Sequence, residues 1–377
     1  MTEGQVCTRC VLDSGVPGIR FDENGVCNYC HMHDRLARKY ELNETNKRRF
    51  EKLLAKIRAS GQGKKYDCIV GVSGGRDSTY CLYRAKELGL RPLAVCVDNG
   101  WHASVAQENV RKVVEKLNVD LRTVKNDWEE LKPMYRAFLK ASVPSVCGPC
   151  FVGTISHLYK IAVEEGVKYV ILGASFRTEG IVPLKWNYID GKYFDRIVKR
   201  FAGIDTGDFN KTRISNLLDY ALIKKIKVIQ LPLYVEYNNE RIGQVLTEKF
   251  DWVDGGGHHF DCTYKPMALH VRNKKFDVDP RKVSYSALVR SKEMTRESAL
   301  RKLEEEAIGE DWEGIDHCLE QLGMTKQDLA ETMSSEPRDF VDYPTYYSML
   351  RSLKTPIKWL CRMRLIPETV YEKYFET

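Results

Sequence analysis

No apolar run in this chain approaches the roughly 20 residues needed to cross a bilayer, so nothing in the sequence calls for a membrane span. The opening residues, MTEGQVCTRC, lack the basic-then-apolar pattern of a leader, and a cytoplasmic protein is expected. The string G-x-x-x-x-G-K-[ST] does not follow the glycine-rich strand end near residue 73, and neither does G-x-G-x-x-G. Their absence excludes a Walker loop and a dinucleotide fingerprint there. Charge is modest too: +7 over 377 residues permits a polyanionic substrate without requiring one. Strongly basic stretches interleaved with aromatics, the mark of an RNA surface, are missing, so no nucleic-acid partner is expected. What the chain has in quantity is cysteine. Twelve of them in a reducing compartment point to metal rather than to disulfides. Its length exceeds one average domain, and 43% apolar residues suffice for a sizeable core.

The chain is organised around residues 66–78, YDCIVGVSGGRDS. Residues 67–72 form a short apolar run with β-branched side chains, suited to a buried parallel strand. Ser73-Gly74-Gly75-Arg76-Asp77-Ser78 then opens a helix, and the glycines allow successive N–H groups to converge on one concavity that suits a phosphate. SGGRDS resembles the PP-loop of the ATP pyrophosphatases. That resemblance implies that Ser73, Gly74, Gly75 and Ser78 meet the phosphates of ATP, and that Asp77 serves catalysis near the accompanying Mg²⁺. From residue 66 onward strands (67–72, 92–97, 120–124, 169–172) alternate with helices (77–88, 104–117, 128–139, 151–165). The alternation predicts an α/β fold with a doubly wound parallel sheet; the resemblance makes it five-stranded and of the adenine nucleotide alpha hydrolase type. Ligands of such sheets bind beyond the carboxyl ends of the strands, where Ser73, Asp98 and Gly173-Ala174-Ser175 fall. Asp98 and Ser175 become ATP-side candidates by the resemblance, although Asp98 also suits a turn cap.

Cys7-x-x-Cys10 and Cys27-x-x-Cys30 are separated by sixteen residues, a spacing that suits a tetrahedral structural zinc knuckle with a turn at Glu23-Asn24-Gly25. His31 and His33 are alternative ligands but are expected at the surface. Apolar residues at helical spacing (Leu36, Tyr40, Phe50, Leu53, Leu54, Ile57) predict one or two helices tying the knuckle to the sheet. A third pair, Cys147-Gly148-Pro149-Cys150, precedes a helix, where a thiolate is favoured. Cys262 follows a glycine–histidine string. Two cysteines with a distant third resemble the arrangement in tRNA-thiolating relatives, where three cysteines hold a [4Fe–4S] cluster with one iron open. A second zinc or unligated redox thiols remain alternatives, because C-x-x-C does not choose between them.

Taken together, CTRCVLD, FDENGVCNYC, the SGGRDS loop, CGPC, GAS, the GG-x-HH string and DPRK…SALVRSKEMTRESAL resemble the N-acetyl sugar amidotransferases of bacterial surface-polysaccharide synthesis. The chain departs from that family at Gly257, where lysine is usual, and at Cys262. The resemblance implies ATP-dependent adenylation of the N-acetyl carbonyl oxygen of a nucleotide-activated sugar, then displacement of AMP by ammonia to give an acetamidino sugar of O-antigen (lipopolysaccharide) type. His258 or His259 would manage the amine proton; Arg281, Lys282 and Arg290 are candidates for substrate phosphates. The remainder after Arg290 is too short and helical to be a glutaminase, so a partner glutaminase is expected to supply ammonia. Its predicted helices (298–307, 314–322, 325–333 with Thr325 as N-cap, 344–353 and a tail to 374) suit a helical cap or a homo-oligomer contact, with Cys318 and Cys361 as core thiols. The expected organisation is a knuckle at 1–35, a helical linker at 36–65, a PP-loop domain at 66–255, and an acceptor-site loop with helices at 256–377. Sulfur transfer of the tRNA-thiolating type shares the adenylation step and is the alternative. A zinc-bearing interaction module would leave SGGRDS without a purpose.

Overall fold

The computed structural model describes residues 4–255, 261–306, 308, 310–363, 365 and 368–375. In chain order the elements are α1 (Asn28–Lys39), α2 (Glu44–Ser60), β1 (Cys68–Gly71), α3 (Arg76–Glu87), β2 (Pro92–Asp98), α4 (Ser104–Leu117), β3 (Leu121–Lys125), α5 (Trp128–Lys140), α6 (Gly148–Glu164) and β4 (Tyr169–Leu172). Then come α7 (Gly191–Ala202), α8 (Ile214–Leu218), β5 (Lys227–Gln230), α9 (Asn239–Phe250), α10 (Lys265–Phe276), α11 (Pro280–Arg290), α12 (Arg296–Glu305), α13 (Trp312–Leu322), α14 (Lys326–Ser334), α15 (Tyr347–Ser352), α16 (Lys354–Arg362) and α17 (Glu368–Phe375).

The five strands are all parallel, in the order β3-β2-β1-β4-β5. Side chains alternate between the two faces, as the pleat requires. Cys68, Val70, Ala94, Cys96 and Ile171 face a core shared with Leu53 and Ile57 of α2, Leu82 of α3, Val113 of α4 and Leu246 of α9. Ile69, Leu93, Val95 and Val170 face Leu158 and Ile161 of α6 on the other side. Burial on both faces explains why β1, β2 and β4 read as near-continuous apolar runs. β3 is a half-exposed edge, and β5 is a four-residue strand, KVIQ, whose polar ends hid it from pattern reading.

The strand order reverses between β1 and β4, so the loops leaving these two strands border the switch-point crevice. α6 begins at Gly148, three residues before its expected start, because Pro149 occupies the first turn, where a missing N–H costs nothing. Cys147 is therefore the N-cap and Cys150 lies within the first turn.

A second core joins α5 (Leu131, Tyr135, Phe138) and α7 (Phe194, Ile197) to α10 (Met267, Val271) and α13 (Ile315, Leu319). Cys318 is packed into it, as expected. Cys361 instead stays partly exposed, because α16 turns little more than Ile357 inward. The knuckle packs Leu12, Val16, Ile19 and Tyr29 on Trp186, Val278 and Val283, so it is seated on the start of α11. Among the described residues, no helix is long and apolar enough to cross a membrane.

Candidate active site and metal centres

The loop after β1 closes on itself. The Ser73 N–H donates to Ser78 Oγ (3.1 Å), and the Ser78 hydroxyl donates to the Gly75 carbonyl (3.2 Å). Gly74 has φ +82°, and a Cβ there would lie 2.1 Å from the Ala106 carbonyl oxygen, so only glycine lets the loop pass α4 this closely. The loop carbonyls are tied from outside. Trp252 Nε1 (3.0 Å) and Asn109 Nδ2 (3.3 Å) donate to Gly74 O, and His102 Nε2 donates to Ser73 O at 2.7 Å. With these carbonyls held and Gly75 as N-cap, the first N–H groups of α3 face the crevice without helical partners, at the positive end of the helix.

Around that concavity stand three carboxylates. Asp77 accepts from the Tyr237 hydroxyl and from Arg76 Nε (3.1 Å). Burial, then the neighbouring Asp77, pushes Glu179 up to about 8. Asp261 reaches the loop from the far part of the chain, its Oδ2 at 3.4 Å from where a Gly75 Cβ would sit. Asp77 and Asp261 offer the kind of oxygen donor that a hard cation such as Mg²⁺ takes, with Glu179 as the neutral acid beside them. A Cβ at Gly173 would meet the Asp77 backbone at 2.8 Å, so this glycine lets the end of β4 lie against the loop. Alongside, a cleft of about 410 Å³ is lined by Arg76, Asn239, Gln244, Trp252 and Asp254, a volume typical of small-molecule sites.

Of the other two ATP-side candidates, Ser175 is 2% exposed; its Oγ accepts from the Arg177 N–H (3.2 Å) and its carbonyl from the Glu179 N–H (2.9 Å). It shapes the loop that carries Glu179. Asp98 accepts from the Gly100 N–H (2.9 Å) and caps the turn after β2. His258 and His259 lie outside the described residues.

Sequence reasoning missed His102, Tyr237, Glu179 and Asp261 at this site. For Asp261 a signal existed in its position beside Cys262. Residues 261–263 pair antiparallel with 101–103 through a His102–Cys262 bridge, with Ala103 N to Asp261 O at 3.1 Å and Thr263 N to Trp101 O at 2.8 Å. That short ladder moors the C-terminal region to the PP-loop.

The four knuckle sulfurs converge, with Cys7–Cys30 at 3.9 Å, Cys10–Cys27 at 3.7 Å and Cys27–Cys30 at 3.6 Å. A tetrahedral ion with metal–sulfur bonds near 2.3 Å sets its ligands about 3.8 Å apart, so the group fits one such ion. An iron–sulfur cube would force the thiolates farther apart. Arg290 is buried against them, with Nε 3.2 Å from Cys30 Sγ and Nη2 3.2 Å from Cys10 Sγ, which offsets their negative charge. Arg290 is thus committed to the knuckle rather than to a substrate phosphate. Arg281 is held by Asp279 (2.8 Å) and the Glu306 carbonyl (2.6 Å), and Lys282 by Asp13 (2.5 Å), so neither is a solvated helix charge. His31 is exposed beside Asp22 (2.8 Å). His33, expected at the surface, is instead 6% exposed, packed edge-on against Phe176 with Nε2 at 3.3 Å from Ser291 Oγ.

Cys147, Cys150 and Cys262 meet at the N-terminus of α6, beside the mooring ladder. Burial, then Cys147, pushes the Cys150 thiol up to about 11, and burial, then Cys150, pushes Cys262 well above its usual range. Asn99 Nδ2 donates to Cys150 Sγ at 2.7 Å. Close by, the buried Tyr135 and Tyr264 hydroxyls have no hydrogen-bond partner among the described residues.

Residues 67–142 match the family described as queuosine biosynthesis protein QueC, and residues 255–354 match LPS biosynthesis protein WbpG-like, C-terminal domain. An uncharacterized protein of Methanocaldococcus jannaschii, MJ1599, is 31% identical over 170 residues, 44% of this chain and 58% of that protein. The tRNA-5-methyluridine(54) 2-sulfurtransferase of Thermotoga maritima is 29% identical over 163 residues, 41% of this chain and 50% of that one. The chain thus spans about half the length of the curated relatives it matches. Among solved structures, the U34-tRNA thiolase NcsA from Methanococcus maripaludis with its [4Fe-4S] cluster aligns with a TM-score of 0.34 at 15% identity, over 81% of this chain and 90% of that one. NMN synthetase from Francisella tularensis aligns with a TM-score of 0.34 at 14% identity, over 66% and 94%. SGGRDS at the end of β1 of a five-stranded parallel sheet, with the match over residues 67–142, supports a PP-loop domain, and residues 255–354 are similar to the WbpG-like C-terminal domain.

Proposed function

We propose that this protein is an ATP-dependent N-acetyl sugar amidotransferase of surface-polysaccharide (O-antigen-type) synthesis, working in the cytoplasm. The observation that carries the proposal is Asp261: the WbpG-like segment reaches the PP-loop itself, so a sugar held by that segment would meet ATP at the loop. An amide carbonyl is a poor electrophile. Its oxygen would attack the α-phosphorus of ATP, forming an O-adenylated imidate and releasing pyrophosphate, and ammonia from a partner glutaminase would then displace AMP. Ser73, Gly74, Gly75, Ser78 and the first N–H groups of α3 would hold the departing pyrophosphate, with Tyr237 fixing the Asp77 rotamer. Mg²⁺, held by Asp77 with Glu179 and Asp261 beside it, would neutralise phosphate charge. His258 or His259 would take the proton of the incoming amine. We assign zinc to the knuckle and a [4Fe–4S] cluster to Cys147, Cys150 and Cys262.

A second reading, sulfur transfer to tRNA, draws support from the three thiols gathered next to the PP-loop. AMP and pyrophosphate release measured with UDP-N-acetyl sugars plus ammonia, against unmodified tRNA plus sulfide, separates the two. Sugar-dependent release with an acetamidino product is the expected result; tRNA-dependent release with thiolated uridine would replace the proposal with the second reading.

A further inference from the structure

Tyr135, Tyr264 and Trp101 are 0%, 1% and 1% exposed, and the Tyr135 and Tyr264 hydroxyls and the Trp101 indole N–H have no hydrogen-bond partner among the described residues. Three orphan donors in one place are unusual, because a buried polar group without a partner destabilises the fold. Their rings form a single cage, with centroids 5.0 Å apart for Trp101–Tyr264, 5.7 Å for Trp101–Tyr135 and 5.0 Å for Tyr135–Tyr264. The cage borders the three cysteines. Thr263, next to Cys262, bonds the Trp101 carbonyl, and Tyr264 follows directly; Tyr135 comes from α5. The neighbouring Cys318 thiol donates to the Thr263 carbonyl at 3.3 Å.

We propose that Trp101, Tyr135 and Tyr264 form a hydrogen-bonding receptor for the sulfur atoms of an iron–sulfur cluster bound by Cys147, Cys150 and Cys262, and so set the potential of that cluster. The inference rests on the cluster assigned above and adds the groups that recognise it. Thiolates and inorganic sulfides present many acceptors, and donors aimed at them stabilise the reduced, more negative state and raise the potential. A lone zinc ion would offer these donors no sulfide. The three are positioning residues, since they act on the cluster and not on the substrate.

The test uses the full chain reconstituted with iron and sulfide under anaerobic conditions, as wild type, Tyr135→Phe, Tyr264→Phe and the double variant. Iron per chain, the midpoint potential and the electron paramagnetic resonance spectrum of the reduced cluster are measured, together with Tm before and after reconstitution. The expected result is iron retained, a lower potential in each single variant and a larger drop in the double. The apo variants melt at or above the apo wild type, since an orphan hydroxyl has been removed, whereas the loaded variants melt below the loaded wild type. A cluster whose potential and spectrum do not move in either variant overturns the donor role and leaves the cluster standing. A wild type that takes up only the knuckle metal overturns both.

Discussion

The two cysteine sites of this chain solve opposite problems. At the knuckle four sulfurs lie 3.6–3.9 Å apart among buried side chains, with a guanidinium against them. Four thiolates would fill every coordination position of one tetrahedral ion and leave none for a substrate. At the α6 N-terminus only three thiols gather, buried hydrogen-bond donors nearby have no partner among the described residues, and the PP-loop is one residue pair away through His102 and Cys262. The first arrangement suits folding and the second suits chemistry. Closure of the donor set, rather than the number of cysteines, marks the difference.

The comparison breaks most sharply at the loop. Asp77→Ala should lower AMP-forming turnover by about 10²-fold or more while both metal contents stay at wild-type levels. Gly74→Val is the poorer probe, because the positive φ and the Ala106 carbonyl at 2.1 Å make it a folding mutation as well. Loss of knuckle metal in Asp77→Ala, read by elemental analysis, would mean that the two ends of the molecule are coupled after all. Cys27→Ser comes next. It should release the knuckle ion and destabilise the N-terminal segment by several kcal/mol, since ligation typically supplies on the order of 10 kcal/mol and the knuckle core is small. Arg290 would then be a buried cation without its thiolates. Protection of residues 4–35 from proteolysis in that variant would contradict a structural role for the ion.

Much of this contrast was legible from local pattern. The C-x₂-C pairs sit on their own turns, and SGGRDS follows a continuous apolar strand, so both could be read within thirty residues of chain. What was not legible depends on long-range placement. Arg290 meets Cys10 across 280 positions, and the same charged-helix pattern would have served a solvated face equally well. His33 reads as a polar residue on a basic helix, yet α1 turns it onto Phe176. β5 carries too short an apolar run to rise above the loops around it. Asp261 gains its meaning from a two-strand ladder whose partner lies some 160 residues earlier, which no periodicity reports.

Cys262→Ser separates the sites from the other side. It should lose the iron bound at α6 and keep the knuckle ion, with the apo fold retained because the backbone ladder survives the substitution. Anaerobic wild-type protein is expected to be brown with about four irons per chain at this site. Colourless protein holding two zincs would make both sites structural and abolish the contrast.

The smallest expected effect concerns pH at the knuckle's edge. Burial, then the nearby Arg290 charge, pushes His33 down to about 4, so the ring is neutral in the folded chain while an unfolded histidine titrates near 6.5. A depressed folded value means that the unfolded state binds more protons as the pH falls. The stability contributed by the neutral ring is fully present above about 6.5 and is lost progressively down through about 4. Between pH 7 and pH 5, above the range of most carboxylates, the loss should be about 2 kcal/mol. His33→Gln keeps a hydrogen-bonding group toward Ser291 but cannot titrate. Urea unfolding of both proteins at the two pH values should therefore show a pH-dependent gap between them, the variant losing less. Parallel losses would place the acid sensitivity in the thiolates themselves, and the knuckle would then be closed by its metal alone rather than by the buried groups packed around it.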